Sequence, residues 1–346
     1  MLTLEMLPAD EGDCLWIEYD DGPIKRRILI DGGTPATYPR LKKRIEALAP
    51  ANRRFDLFVV THIDSDHIGG AIKLMENPPD GLTFGDVWFN GYKHLPKPDD
   101  ELGARQGQEL TRMLVDGKIP WNAAFDSKAV VVRDGLALPT AKLPGGLKLT
   151  VLSPGIEQLR KLLPKWDKEM AKLRAGESEQ EAGAAPADEL GDAIDVVSLA
   201  NSPFKEDKAE PNGSSIALLL EHGDRRILLG ADAHPTVMAI NVDRLLAKSG
   251  DPFLKLDAYK VAHHGSRANT SKKLLEKLAC PRYLVSTSGN KFDHPDKEGV
   301  ARIIQFGGKE KELFFNYENE HTSPWHDDKL ENRNKYQARF VSKLSW

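Results

Sequence analysis

Residues 59–70 read Val59-Val60-Thr61-His62-Ile63-Asp64-Ser65-Asp66-His67-Ile68-Gly69-Gly70. The lead-in, with Phe55, Leu57 and Phe58 running into Val59 and Val60, has the apolar and β-branched content of a buried strand. Four metal-ligating side chains then fall within six residues: His62, Asp64, Asp66 and His67. Carboxylates and imidazoles crowded at the end of an apolar strand repel or strand one another unless a cation balances them, so the stretch predicts a metal site. Gly69 and Gly70 allow a tight backbone path and residues 71–76 have helical composition, which puts the ligands where a strand gives way to a helix. A solvated acidic turn would explain one Asp-x-Asp but not the two histidines that flank it.

The pattern His-x-Asp-x-Asp-His at the end of an apolar strand resembles the signature of the metallo-β-lactamase superfamily of hydrolases. Its commonest form has histidine at the second ligand position. Asp64 stands there, as in the ComEC-type competence protein domains of that superfamily. The resemblance implies an αββα sandwich, an α/β fold of two sheets with helices outside. A motif of this kind fixes a site and not a substrate.

Working outward, residues 2–6 and 15–19 alternate apolar and polar positions, Asp20-Asp21-Gly22 makes a turn, and residues 27–33 form a strand ending in Asp31-Gly32-Gly33. Asp31 reads equally as a turn former and as a group that orients a ligand histidine. Asn90, Lys93 and His94 sit on a loop after another strand. Residues 99–116 are polar and glycine-broken, so the stretch from about 95 to 128 is expected to be a surface insertion. A second insertion spans about 156–211: an amphipathic helix carrying Leu159, Leu162, Leu163 and Trp166, then an Ala-, Glu-, Gly- and Pro-rich tract from 176 that reads as a long mobile or surface loop. The whole chain, residues 1–346, is read as one domain with these insertions and a C-terminal extension at about 318–346, beyond an edge strand at 312–317.

The second half repeats the logic of the first. Asn212-Gly213-Ser214-Ser215 leads into an apolar strand, His222-Gly223-Asp224 turns, and residues 226–232 end on Asp232. Residues 256–262 deliver His263-His264-Gly265-Ser266-Arg267, and residues 282–287 lead to Phe292-Asp293-His294-Pro295. The order of these motifs is also similar to the ComEC-type domain, over about residues 1–317. The resemblance makes Asp232 the carboxylate that bridges two ions. As a helix N-cap it would also make sense. Adjacent histidines in an extended chain point opposite ways, so one of His263 and His264 is expected to be a ligand and the other a substrate or proton-transfer group. We take His263 with the ligands and His264 with Asp66 in the catalysis, the exchange of the two histidines remaining open. His294 reaches toward the same rim as a further ligand or substrate contact. One departure is clear: no histidine occurs between His94 and His222, and Asn212 or Ser214 stands where the superfamily usually supplies one.

Oxygen donors at these two positions make Mn²⁺ or Mg²⁺ a rival to Zn²⁺, as one ion or two. Paired ions about 3.5–4 Å apart serve hydrolysis, and the ComEC-type resemblance points to phosphodiesters, DNA included, with Arg267, Lys260, Lys291 and Lys93 placed to meet phosphate. Ester, thioester and lactam hydrolysis, and a non-catalytic metal-binding sensor, are the alternatives. A redox di-iron role would want a flavin domain that the sequence does not display. A net charge of −4 gives no global attraction to nucleic acid or membrane. Cys14 and Cys280 form no zinc or redox pattern, and no stretch has the length of a membrane span, so the expectation is a reduced, cytoplasmic protein.

Overall fold

The computed structural model describes residues 1–96, 109–175 and 194–346. Strand periodicity sorts the apolar residues into layers. Ile28, Ile30, Leu57 and Val59 point inward, and Leu29 and Phe58, between them, point out under helices. In the second half Leu218, Leu220, Ile227 and Leu229 point inward while Leu219 and Leu228 point out. Strands covered on both faces need near-continuous apolar runs, which is what these segments have.

The first sheet has six strands in the order Lys343–Ser345, Leu2–Met6, Leu15–Asp21, Ile24–Ile30, Leu57–Val59, Val87–Trp88. The second has eight, in the order Tyr336–Phe340, Lys311–Phe315, Arg282–Val285, Ala258–Lys260, Arg225–Leu229, Ala217–His222, Lys148–Ser153, Thr140–Lys142. Their inner faces share one core. Helices Tyr38–Glu46 and Ser65–Glu76 cover the first sheet through Leu41, Ile45, Ile68 and Ala71, and helices Pro235–Ser249 and Lys297–Phe306 cover the second through Met238, Val242, Val300 and Ile304. The architecture is the αββα sandwich.

Three segments differ from the sequence expectation. The helix Glu109–Asp116 contributes Leu110 and Leu114 to the outer core of the first half, with Trp121 close behind, so this part of the first insertion is packed rather than merely superficial. In the second insertion, residues 176–193 lie outside the described residues. Past them the helix Val196–Ala200 seats Val196 and Ala200 in the core of the second half, and Arg302 donates to Ser202 O and Oγ at 3.4 and 3.1 Å. At the C-terminus Lys311–Phe315 is not an edge strand. Tyr336–Phe340 pairs beyond it in parallel, and Lys343–Ser345 crosses to pair with Leu2–Met6 of the other sheet. Among the described residues, no helix is long and apolar enough to cross a membrane.

The site depends on one close approach. Gly32 N donates to His67 O and Gly70 N to Gly33 O, both at 2.9 Å, stitching the end of Ile24–Ile30 to the start of Ser65–Glu76. A Cβ on Gly70 would collide with the Gly32 carbonyl. Gly70→Ala is therefore expected to cost about 1–3 kcal/mol, read by chemical denaturation, with a parallel loss of cation affinity. Unchanged stability would mean that the two segments separate freely.

Candidate metal centre

Each half of the sandwich delivers its polar side chains at the same edge. His62 lies in the loop after Leu57–Val59, Asp64 is the residue preceding helix Ser65–Glu76, and Asp66 and His67 fall in its first turn. Asp232 follows strand Arg225–Leu229, and His263 and His264 follow Ala258–Lys260.

These groups converge on one oxygen. Asp232 Oδ2 lies 3.3 Å from His67 Nε2, 3.7 Å from His264 Nε2, 3.7 Å from His263 Nε2 and 3.9 Å from His62 Nε2. Asp64 Oδ2 is 3.2 Å from His62 Nε2. Asp66 Oδ2 is 3.4 Å from His264 Nε2 and 3.6 Å from His67 Nε2. Two groups of donors thus share Asp232: His62 with Asp64, and Asp66 with His67 and His264.

Hydrogen bonds behind the rings fix which nitrogen faces inward. Asp31, at φ 59° on the end of its strand, accepts from Thr61 N and Thr61 Oγ1 at 2.8 Å and from His67 Nδ1 at 2.9 Å. Because the Thr61 hydroxyl donates to Asp31, it accepts from His62 Nδ1 at 2.9 Å. His264 Nδ1 donates to Ser286 O at 2.7 Å. All three rings therefore carry their neutral-form proton on Nδ1 and turn Nε2 toward the cluster.

That arrangement is costly without a positive charge. His67 Nε2 and His264 Nε2 face each other at 3.3 Å, lone pair to lone pair in the neutral forms. His62 Nε2 and Asp232 Oδ1 are buried with no hydrogen-bond partner. The titration behaviour carries the same message. Burial alone would lower the His67 pKa, but the charges of Asp232, Asp66 and Asp31 outweigh it and hold the ring well above the usual imidazole range. For His62, burial and the charge of His67 win, and its pKa falls to about 4. Burial and Asp66 push Asp64 well up. Burial would raise Asp232 too, but His67, His263 and His264 draw it well down. The positive charge that these carboxylates favour on His67 is charge that a bound cation would supply. Orphaned inward-facing donors, mixed nitrogen and oxygen, fit a divalent metal ion.

Asp31→Asn is expected to weaken cation binding about 10- to 100-fold, because the anion that holds His67 in the ligating tautomer is lost. Competition against a chromophoric chelator measures it. An unchanged affinity would show that Asp31 is only a turn former.

The structure places the other sequence candidates as follows. The His294 ring is buried, 5.3 Å from that of His263 and 6.4 Å from that of His264. Asn212 Nδ2 donates to Asp207 Oδ2 at 2.8 Å, while its Oδ1 is buried without a partner. Ser214 Oγ donates to Pro211 O at 2.6 Å, a local turn bond. Arg267 pairs with Glu298 at 3.3 Å, exposed Lys291 lies over Phe292, and Lys93 lies over Trp121 at 3.7 Å. Asn90 bonds both ways to the backbone of Val130, and His94 accepts from Gly91 N at 3.2 Å. Lys260 corrects the sequence reading outright: it is wholly buried in an ion pair with Asp13, so it cannot meet a substrate phosphate. The extended-chain premise for His263 and His264 also fails. Both residues are left-handed, at φ 46° and 53°, and both rings face Asp232.

Sequence reasoning missed Asp207 and Asn269. Asn269 Oδ1 accepts from His263 Nδ1 at 2.9 Å, and Asp207 Oδ2 lies 3.7 Å from the same nitrogen. Asp207 had been absorbed into the polar insertion, and no periodicity marks it.

Residues 8–84 match the family model described as the Metallo-beta-lactamase superfamily. Among curated proteins, ComE operon protein 3 of Bacillus subtilis (strain 168) is 29% identical over 113 residues, covering 30% of this chain and 13% of that protein. This chain therefore spans only a small part of that relative's length. Among solved structures, Zn(2+)-bound PqqB from Methylobacterium extorquens aligns over 100% of both chains at 13% identity, with a TM-score of 0.43. The metallo-beta-lactamase fold protein YhfI from Bacillus subtilis aligns over 100% of this chain and 99% of its own, at 10% identity and a TM-score of 0.41.

Proposed function

We propose that this chain, a member of the metallo-β-lactamase superfamily, is a metal-dependent hydrolase that cleaves phosphodiesters. The observation that carries the reading is the convergence of inward-facing imidazole and carboxylate donors on Asp232 Oδ2. His62 and Asp64 would hold one cation, Asp66, His67 and His264 a second, and Asp232 both. Bound there, divalent ions supply Lewis-acid polarisation and an acidified water, the chemistry suited to in-line displacement at phosphorus.

The chain's own groups do the rest. The Asp66 side chain is 20% exposed, against 3% for Asp232, so it is the carboxylate that can both ligate and take a proton from attacking water. Asp31 and Ser286 O keep the protons of His67 and His264 on Nδ1. The environment of His264 Nε2 favours a ligand role over the catalytic one read from sequence. Buried His294, its ring 5.3 Å from that of His263, is the remaining imidazole beside this set and is assigned to the leaving oxygen. The imidazoles among the donors suit Zn²⁺ and the three carboxylates suit Mn²⁺, so the mixed set favours these two over Mg²⁺.

The engagement of Lys260, Arg267 and Lys93 argues for a short or small phosphodiester rather than tracking along DNA. The test is a panel of bis-p-nitrophenyl phosphate, short single-stranded DNA, duplex DNA, a thioester and a lactam, assayed with Mn²⁺, Zn²⁺ and Mg²⁺. Expected are cleavage of the small diester and a salt slope well below the steep dependence of proteins that grip many phosphates. Asp66→Ala should abolish turnover with the fold retained. Turnover of the thioester or lactam alone would move the reading to another substrate class, and full activity of Asp66→Ala would end it.

A further inference from the structure

The loop that joins Leu2–Met6 to Leu15–Asp21 belongs to the first sheet, yet it touches donors from both halves of the metal centre. Gly12 packs on the backbone of Asp66, so closely that a Cβ there would overlap the Asp66 carbonyl oxygen. The Asp13 carbonyl accepts from Gly33 N at 2.8 Å, in the turn just past Asp31. Toward the second half, Gly12 O accepts from Ser286 Oγ at 3.1 Å and Asp10 O from Ser288 N at 2.7 Å. Ser286 is also the residue whose carbonyl accepts from His264 Nδ1.

The Asp13 side chain completes this span. Its Oδ2 is ion-paired with Lys260 Nζ, both groups being buried. Its Oδ1 lies 3.8 Å from His264 Nδ1 and has no hydrogen-bond partner. An oxygen of Asp13 also falls within 4.8 Å of ligating atoms of both Asp31 and His67. The anion behind His67 and the anion behind His264 therefore adjoin, and the second carries a buried ammonium. Lys260 ends the strand that delivers His264, and its carbonyl accepts from Gly230 N at 3.0 Å, in the segment leading to Asp232.

A buried ion pair contributes little net stability over apolar groups of the same shape, because desolvating two ions offsets their attraction. What it imposes here is a distance: Asp13 of the first half has to meet Lys260 of the second before either charge is satisfied. His67 Nε2 and His264 Nε2, one from each half, stand 3.3 Å apart. Metal–ligand distances tolerate only about 0.2 Å, so a slip between the halves would part these donors from a shared cation.

We infer that the Asp13–Lys260 pair is a positioning device for the metal centre. It sets the register between the two halves so that His264 meets His67, Asp66 and Asp232 around one cation, with Asp13 supplying the anion behind His264 as Asp31 does behind His67. Both are positioning residues, since neither is among the donors that face the cation. The inference rests on the reading of this cluster as a metal centre, but it concerns binding and not turnover.

The test is Co²⁺ binding, measured by competition with a chromophoric chelator and by the visible d–d spectrum, in Asp13→Asn combined with Lys260→Met. That double variant removes both charges with little change of shape. Leu313→Ala, a cut in the core of the second half, is the control for lost stability, and circular dichroism shows that each variant is folded at the temperature of the measurement. The affinity of the double variant should fall about 10- to 100-fold with a shifted band, while Leu313→Ala binds and absorbs as wild type. If the double variant does not fold, Ser286→Ala decides: it frees Gly12 from the second half, leaves the carbonyl beneath His264 in place, and should lower the affinity about fivefold, the worth of one hydrogen bond. Wild-type affinity and spectrum in the folded double variant or in Ser286→Ala, or an equal loss in Leu313→Ala, would overturn the inference and leave the pair as packing. No Co²⁺ bound by wild type would overturn it together with the metal centre, whereas Co²⁺ bound without turnover of any substrate would sink the hydrolase reading alone.

Discussion

Replacing Asp232 by alanine is expected to lower hydrolysis by 10³-fold or more, about 4 kcal/mol in transition-state free energy, and to lower bound metal from two equivalents to one or none. Among the described residues, the Asp232 carboxylate lies within 4 Å of four imidazole nitrogens, so this single change touches both donor groups at once. The same variant separates a site residue from a structural one. Asp232 Oδ1 is buried with no partner, and the charge of Asp232 acts unfavourably on the like-charged Asp66 carboxylate. Removing the carboxylate therefore relieves repulsion with Asp66 in the metal-free protein while depriving His67 of one counter-charge, Asp31 at 2.9 Å remaining. Stripped of metal, Asp232→Ala should melt within a few degrees of stripped wild type, whereas the stabilisation gained on adding cation should be mostly lost. A large loss of stability in the stripped protein would make Asp232 a structural group first.

The second large effect is on stability. Lys260 is wholly buried in the second sheet and pairs with Asp13, itself 1% exposed, in the loop between the first two strands of the other sheet. Lys260→Met leaves the Asp13 carboxylate buried with His264 Nδ1, 3.8 Å away, as its remaining neighbour of opposite tendency. Breaking one side of a buried pair costs about 3–5 kcal/mol, whereas replacing both sides with apolar groups is often neutral. Lys260→Met is thus expected to fall by about that amount in chemical denaturation, and Lys260→Met with Asp13→Leu to recover most of it. Equal losses in the single and double variants would mean that the pair contributes packing rather than charge balance. Because Asp13 Oδ1 borders the ring of His264, the double variant should also bind cation more weakly than its stability implies.

Much of this was legible in the sequence because it is local. The crowding of His62, Asp64, Asp66 and His67 behind an apolar strand announces a metal centre, and the alternation of residues such as Ile28, Leu29 and Ile30 encodes two covered faces. Asp232 was legible as a carboxylate at the tip of an equivalent strand. What escaped depends on long-range pairing or on unusual backbone. Lys260 in a run of apolar residues looks like a strand position facing solvent, and its partner lies 247 residues away. That His263 and His264 both face Asp232 follows from a left-handed turn over two consecutive residues, which the sequence pattern does not mark. Asp207 sits among residues whose composition says loop, and only its bonds to Asn212 and Asn269 give it a role. Leu110 and Leu114 were discounted because the stretch 99–116 is polar and glycine-broken; tertiary packing against the first half overrides that signal.

The central claim is that two divalent cations sit on either side of the Asp232 carboxylate. Anomalous diffraction from crystals equilibrated with Mn²⁺, and separately with Zn²⁺, tests it most directly. The account predicts two peaks, each about 2.0–2.3 Å from its donors, one reached by His62 and Asp64, the other by Asp66, His67 and His264, with Asp232 touching both. At saturating cation, the absence of any peak within bonding distance of Asp232 would contradict it.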